Sequence, residues 1–208
     1  MDNCYTCNLD MNIVLKCLSE KRPIFHSESD FQHALACEIF KTYENCGCNI
    51  RLEKREEVNN KEIYHDIFIR MGNKVYIIEL KYKTKQFSTT PNNNDDYDLK
   101  NQSAQDNGRY DFCKDIMRLE EIINTKYHDG IGFAIFLTND HQYWKEPRRK
   151  LENLNDKAFR IHNGQRISGK LEWKNKPTTK EREQPIILNG SYELNWEIYS
   201  SCDNEVFK

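Results

Sequence analysis

No stretch of the chain is apolar enough to cross a membrane. The longest near-uninterrupted apolar run, Ile131 to Leu137, falls far short of the ~20 residues a spanning helix needs. Met1-Asp2-Asn3-Cys4 lacks the basic segment and apolar stretch of a secretory signal, so a cytoplasmic, reducing location is expected. The eight cysteines (Cys4, Cys7, Cys17, Cys37, Cys46, Cys48, Cys113 and Cys202) are then expected to be thiols. Cys4-x-x-Cys7 and Cys46-x-Cys48 have ligand-like spacing. The second pair is tight for a zinc knuckle and the first lies at the terminus, so structural zinc is disfavoured. An excess of one charge sign is also missing. Lys and Arg total 31 against 33 Asp and Glu, a net charge of −2, which excludes the uniformly cationic coat common among nucleic-acid binders. There is no internal repeat, Gly-rich phosphate loop, Ser-His-Asp order or dinucleotide fingerprint.

What is present is a chain of 208 residues, 38% hydrophobic and 31% charged. This is too polar for a membrane protein and too apolar and aromatic for a disordered one. Folding a chain of this size buries roughly 70% of the surface it exposes when unfolded, so a core forms without a disulfide framework.

Residues 9–20 read as a short helix with Leu9, Ile13, Val14, Cys17 and Leu18 on one stripe, ended by Pro23. Ser27-Glu28-Ser29-Asp30 is a helix start, and the helix is expected over 28–43. Residues 49–57, 62–70 and 74–83 read as strands, the last two joined at Gly72-Asn73 by a two-residue hairpin. Residues 84–101, with Pro91, three consecutive Asn and Asp95, Asp96 and Asp98, read as a long loop. A helix follows over 102–125, with Phe112, Ile116, Leu119 and Ile123 inward, although Gly108 argues for a later start. Gly132 to Thr138 is continuous enough for a strand buried on both faces. Ile186–Leu188, Asn189-Gly190 and Tyr192–Ile198 read as a second hairpin. The fold class is therefore α/β, a central mixed sheet flanked by helices with a β-rich C-terminal extension. The expected organisation is a helical segment over 1–26, a core over 27–140 and a basic extension over 141–208 packed on the same domain.

Charged residues in the core-like hairpin carry the chemistry. With a two-residue turn, paired residue numbers sum to 145, which sets Asp66 opposite Glu79 and Tyr64 opposite Lys81. Alternation then puts Asp66, Glu79 and Lys81 on one face, with opposed positions ~5 Å apart. Two carboxylates that close repel unless a cation neutralises them. A divalent metal does so, and a lysine does so in part. Glu79 interrupts Val75-Tyr-Ile-Ile-Glu-Leu-Lys, and a carboxylate in such a strand needs a partner. A structural salt bridge through Lys81 is the plainer alternative. His65 is expected to point away from Asp66 and to pack.

This pattern resembles the PD-(D/E)XK nuclease superfamily, the restriction-endonuclease-like proteins. Its signature is an Asp on one strand followed by a strand bearing Glu-x-Lys, here Asp66 and Glu79-Leu80-Lys81. Asp66 is preceded by His65 where the motif has Pro. The resemblance spans about residues 27–140. The run Ser27-Glu28 to Phe31-Gln32-His33 suggests a bacterial branch. By the resemblance, Asp66, Glu79 and the Leu80 carbonyl hold one or two Mg²⁺ (or Mn²⁺) ions, the hard cations that oxygen ligands favour. Glu28 completes the set, and Lys81 orients the attacking water or stabilises the phosphorane. Glu38 is a rival for the role of Glu28, although a solvated helix residue is the better reading.

Substrate-binding candidates are Gln32, one turn from Glu28, and Lys83, which shares a strand face with Lys81 and Lys85. Gln105, Arg109 and Tyr110 join them through a resemblance to the helix that follows Glu-x-Lys in recombination exonucleases. Arg118 is a further phosphate candidate, although Asp115 and Arg118 also have ion-pair spacing. The expected function is metal-dependent phosphodiester hydrolysis, as a DNA endonuclease. The alternative is an inactive nuclease-like module that binds nucleic acid or a protein partner. The tail motivates it, with Arg148-Arg149-Lys150, Lys174, Lys176 and Lys180 beside Trp173, Tyr192 and Trp196. A homodimer through the tail hairpin is a further expectation, and a membrane partner is not expected. The −2 is an average, because residues 141–184 hold twelve Lys/Arg against six Asp/Glu, a formal +6.

Overall fold

Polar side chains close the N-termini of the first two helices. In the computed structural model, which describes residues 7–91, 95–177 and 179–208, α1 spans Met11–Lys21 and α2 spans Glu28–Thr42. Asp10 accepts from the Asn12 and Ile13 N–H groups, and Ser27 accepts from Asp30 N–H at 3.1 Å. Asp30 in turn takes His26 N–H and pairs with Arg22. Glu38 is not solvated: it is buried and paired with Lys21 of α1 at 2.5 Å.

Three long antiparallel strands follow: β1 (Cys48–Val58), β2 (Lys61–Met71) and β3 (Lys74–Lys83). The β2–β3 turn is the two-residue one, with Met71 opposite Lys74 and Gly72 in the left-handed region at φ 57°. The stretch after β3 is not one long loop, since β4 (Phe87–Thr89) and β5 (Tyr97–Leu99) pair across it. The run of Asn at 92–94 lies outside the described residues. Helix α3 (Gln105–Thr125) leads to β6 (Ile131–Thr138), which runs parallel to β3. The result is a mixed four-stranded sheet in the order β1-β2-β3-β6.

Because β3 is central, its side chains feed two compartments. Tyr76, Ile78, Leu80 and Tyr82 pack with α1 and α2, while Val75 and Ile77 pack with Leu119 and Ile122 of α3. Helix α3 starts at Gln105, three residues ahead of the glycine that argued for a later start. Gly108 sits inside the helix because the Tyr143 hydroxyl lies 2.5 Å from where a Cβ would be.

The tail departs most from expectation. Asn189-Gly190 is not a turn. Residues 186–194 form one strand, β8 (Ile186–Leu194), paired with β7 (Gln165–Leu171), a strand the sequence reading lacks. Ser168 pairs with Ser191 and Gly169 with Leu188, so Asn189 and Gly190 bulge out of the ladder. The Glu120 carboxylate of α3 accepts their N–H groups at 2.8 and 2.6 Å and the Tyr192 hydroxyl at 2.7 Å. A Cβ on Gly190 would lie 2.9 Å from that carboxylate, so the glycine serves close approach rather than a turn. Glu120→Ala strands two backbone donors and is expected to lower stability by about 3 kcal/mol, read as a shift in the urea midpoint. This sheet and α3 enclose a further apolar cluster containing Phe159, Ile161, Ile167 and Leu188. The chain ends in β9 (Ser200–Cys202) and β10 (Glu205–Phe207), after which Lys208 exchanges two backbone hydrogen bonds with Thr138.

The thiol expectation fails at one pair. The segment that precedes α1 and the turn after α2 bring Cys7 and Cys46 to 6.0 Å between Cα atoms, and they form a disulfide. Cys17, Cys37, Cys48, Cys113 and Cys202 are free, and Cys4 lies outside the described residues. Among the described residues, no helix is long and apolar enough to cross a membrane.

Candidate active site

Strands β2 and β3 part company at the predicted motif. Their rungs run from Met71–Lys74 to Ile67–Ile78 and stop, so Asp66 and Glu79 are not a paired rung. The cause lies in β1. Glu53, opposite Asp66, takes a left-handed φ of 49°, and neither residue joins the β1–β2 ladder. Gln32 of α2 fills the gap, donating to the Asp66 carbonyl at 2.7 Å and to Glu53 Oε1 at 2.6 Å.

The interruption also inverts the faces of both strands. Ile50, Leu52, Ile67 and Ile69 point to the α1–α2 side, whereas Val58 and Ile63, at the same parity along their strands, pack on the α3 side. His65 is carried with them. It does pack, being fully buried, but on the same side as Glu79, with Nδ1 3.0 Å from Glu79 Oε1.

Where β2 leaves, β3 has two N–H groups without a strand partner, at Leu80 and Tyr82. Carboxylates take both. Asp66 Oδ2 accepts from Leu80 N–H at 2.6 Å and Glu28 Oε2 from Tyr82 N–H at 2.7 Å. Glu28 reaches this edge because it is the first residue of α2. Lys81 lies between these anchors and turns to α3, pairing with Asp115 Oδ2 at 2.5 Å and donating to the Leu80 carbonyl at 3.1 Å. Arg118, one turn along α3, bridges Asp115 at 3.2 Å and Glu79 at 3.5 Å. Glu79 is 2% exposed and is held between His65 and Arg118.

The electrostatics show a surplus of negative charge. Burial, and then the charge of Glu79, push the Asp66 carboxyl up to about 7, against the Leu80 N–H and Lys81, which pull it down. Burial likewise lifts Asp115 to about 6, with Lys81 opposing and Glu79 adding to the rise. Burial alone would lower the Lys81 ammonium, but Asp115, then Glu28 and Asp66, hold it above its ordinary value. Among the described residues, Asp66, Glu79 and Asp115, with Glu28 beyond, face Lys81 and Arg118 as permanent cations.

The donor chemistry suits a hard divalent cation: carboxylate oxygens and the Leu80 carbonyl, in a cluster short of positive charge. Among the described residues, no three His, Cys, Asp or Glu side chains gather tightly enough to enclose a metal by themselves.

The protonation of Asp115 is measurable. Its folded pKa lies above the unfolded value, so folding takes up a proton between about pH 4 and 6. The stability linked to this group is full below pH 4 and lost as pH rises through 6. Asp115→Asn is expected to remove that limb, on the order of 2 kcal/mol, from urea midpoints taken between pH 4 and 8.

The sequence-predicted residues divide cleanly. Glu28, Gln32, Asp66, Glu79, Leu80 and Lys81 meet at the fork. Lys83 follows at the end of β3, half-buried. Gln105, Arg109 and Tyr110 do not meet it. Gln105 donates to Asp140 at 2.9 Å. Arg109 is 4% exposed in a double contact with Asp156. Tyr110 is packed between Phe159 and Trp173 and donates to the Gln184 carbonyl. Sequence reasoning missed Glu53, and it missed Asp115 as the partner of Lys81. The available signal was an Asp inside the apolar stripe of α3, next to Ile116. Comparison with models of protein families, with curated proteins and with solved structures yields no match.

Proposed function

We propose that the protein is a divalent-metal-dependent nuclease of the PD-(D/E)XK kind, acting as a DNA endonuclease. One observation carries the reading: where β2 and β3 fork, the freed N–H groups of Leu80 and Tyr82 anchor Asp66 and Glu28 on either side of Lys81. Asp66, Glu79 and the Leu80 carbonyl would hold Mg²⁺ or Mn²⁺, with Glu28 completing the set. The bound ion would acidify a coordinated water and draw charge from the phosphate.

The chain's own groups do the rest. Asp115 keeps Lys81 cationic and fixes its direction, so the ammonium offers a preorganised charge to the phosphate oxygens. Arg118 and His65 hold Glu79 in one orientation. Gln32 pins the Asp66 backbone, which sets where its carboxylate starts. Supercoiled plasmid incubated with millimolar Mg²⁺ is expected to be nicked and linearised, and EDTA to stop it. Calorimetry is expected to detect Mg²⁺ or Mn²⁺ binding that Asp66→Asn weakens at least tenfold. Absence of both cleavage and metal binding sinks the reading.

A second reading, an inactive module that binds nucleic acid, draws on the protein partners that Asp66, Glu28, Glu79 and Lys81 already have. It is distinguished by salt-dependent binding of nucleic acid with no metal uptake at Asp66.

A further inference from the structure

We propose that a basic cleft beyond the end of β6 is a docking site for the phosphodiester backbone of nucleic acid. The cleft has a volume of about 480 Å³ and is lined by His141, Lys145, Arg148, Arg149 and Arg160, with Glu146 the one acid among them. Lys145, Arg148 and Arg149 are exposed, and no ion pair engages any of them among the described residues.

Behind the lining, Arg160 shares Asp156 with Arg109, so these three carry a formal +1, and the charge of Asp106 acts on Arg160 more weakly. Arg160 donates one NH₂ group to Asp156 at 3.0 Å, while its Nε is buried and has no hydrogen-bond partner among the described residues. A guanidinium crowded in this way by burial and by a second guanidinium is relieved by an anion. Glu146 forms no ion pair with the wall among the described residues, which leaves the wall cations available.

The fold places this cleft on the same end of the sheet as the fork. Lys81 pairs with Phe136 and Lys83 with Thr138 in the parallel β3–β6 ladder. Asn139 then clasps the Lys85 backbone, accepting from its N–H at 2.8 Å and donating to its carbonyl at 3.3 Å. Asp140 is tied to Gln105 at the start of α3, and Arg109 donates to the Gln142 carbonyl. His141 is therefore five residues beyond the partner of Lys81, at most about 17 Å along the strand direction. One strand of a duplex presents a phosphate per ~3.4 Å of axis, so this reach spans about five backbone charges. One backbone lying over Lys81 would pass Lys83 and Lys85 and enter the cleft. The proposal rests on the nuclease reading for this alignment, but the cleft itself is tested by binding alone.

The experiment measures binding of a short labelled DNA duplex by fluorescence polarisation over a KCl series, in EDTA and in the Asp66→Asn background so that no strand is cut. Lys145→Ala/Arg148→Ala/Arg149→Ala is expected to bind at least tenfold more weakly. Its salt slope should fall by about 2.7, the release expected for three phosphate contacts. Arg148→Lys/Arg149→Lys is expected to keep the slope. Lys16→Ala/Lys41→Ala, which removes two exposed lysines of α1 and α2, is expected to keep both slope and affinity. An RNA duplex in parallel identifies which backbone is preferred, and a polyglutamate peptide is expected to bind at least tenfold more weakly than either. The proposal is overturned if the triple variant binds within twofold with an unchanged slope, if the control pair loses as much, or if polyglutamate binds as tightly. Failure of the nuclease reading looks different: wild-type protein binds the duplex, loses it in the triple variant, and never cleaves it.

Discussion

On the proposed nuclease function, Lys81→Ala is expected to lower the rate of Mg²⁺-dependent plasmid cleavage by about 10²–10³-fold, with metal affinity changed far less. The ammonium touches no predicted metal ligand except the Leu80 carbonyl, so its loss should appear in turnover. The fold has a way to absorb the change. Asp115, already lifted to about 6 by burial, loses the attraction of Lys81, rises further and becomes neutral at pH 7 instead of standing as a bare buried charge. Arg118 remains beside it at 3.2 Å. Lys81→Ala/Asp115→Asn should therefore match the single variant in turnover and exceed it in stability above pH 6. Single-turnover cleavage and urea midpoints on the same preparations check both halves. A cleavage rate equal to wild type removes Lys81 from the chemistry.

Asp156→Ala is expected to cost about 3–5 kcal/mol and to lower the urea midpoint by more than either Glu120→Ala or Asp115→Asn. Asp156 is buried and accepts from Arg109 Nε at 2.8 Å and from Arg160 at 3.0 Å. Removing it takes away the ion-pair partner of both guanidiniums and leaves Arg160 only the weaker attraction of Asp106. Burial and the charge of Arg109 already hold Arg160 below its ordinary value with Asp156 in place. Arg109→Met with Asp156→Leu and Arg160→Met, which replaces the whole triad by apolar volume, should recover most of the loss. A cost below about 1 kcal/mol for Asp156→Ala would mean that water reaches the site.

The hairpin that carries the motif was legible because its signals are local. Gly72-Asn73 fixes the turn, the turn fixes the register, and the register locates the fork to within one rung. The same reasoning failed at His65, because period-two alternation assumes an uninterrupted strand. Glu53, in the left-handed region, breaks that assumption, and nothing about a Glu in the run Arg51-Leu-Glu-Lys-Arg55 announces it. Asp115 was visible only as half of an i,i+3 pair, since its contact with Lys81 spans 34 residues and depends on how α3 lies on the sheet. The tail failed for a related reason. Asn-Gly ordinarily encodes a turn, but here a carboxylate from a different element captures both amides and turns a corner into a bulge. The Cys7–Cys46 bond likewise depends on how α1 meets the end of α2. Arg109 and Tyr110 had the residue types of a substrate site, and burial assigned them to packing.

The carboxylates at the fork also act as strand mimics. Asp66 and Glu28 supply the acceptors that a neighbouring strand would otherwise provide, two residues apart on one edge of β3. Replacing either by alanine removes a rung of the architecture together with any ligand, so loss of activity in such a variant mixes two causes. Asparagine and glutamine, which keep a carbonyl oxygen for the waiting amide, separate them. By the same token, a chain of this fold with no catalytic activity would still need both acids to hold that edge of β3, so the motif has a structural reason to persist that is independent of chemistry.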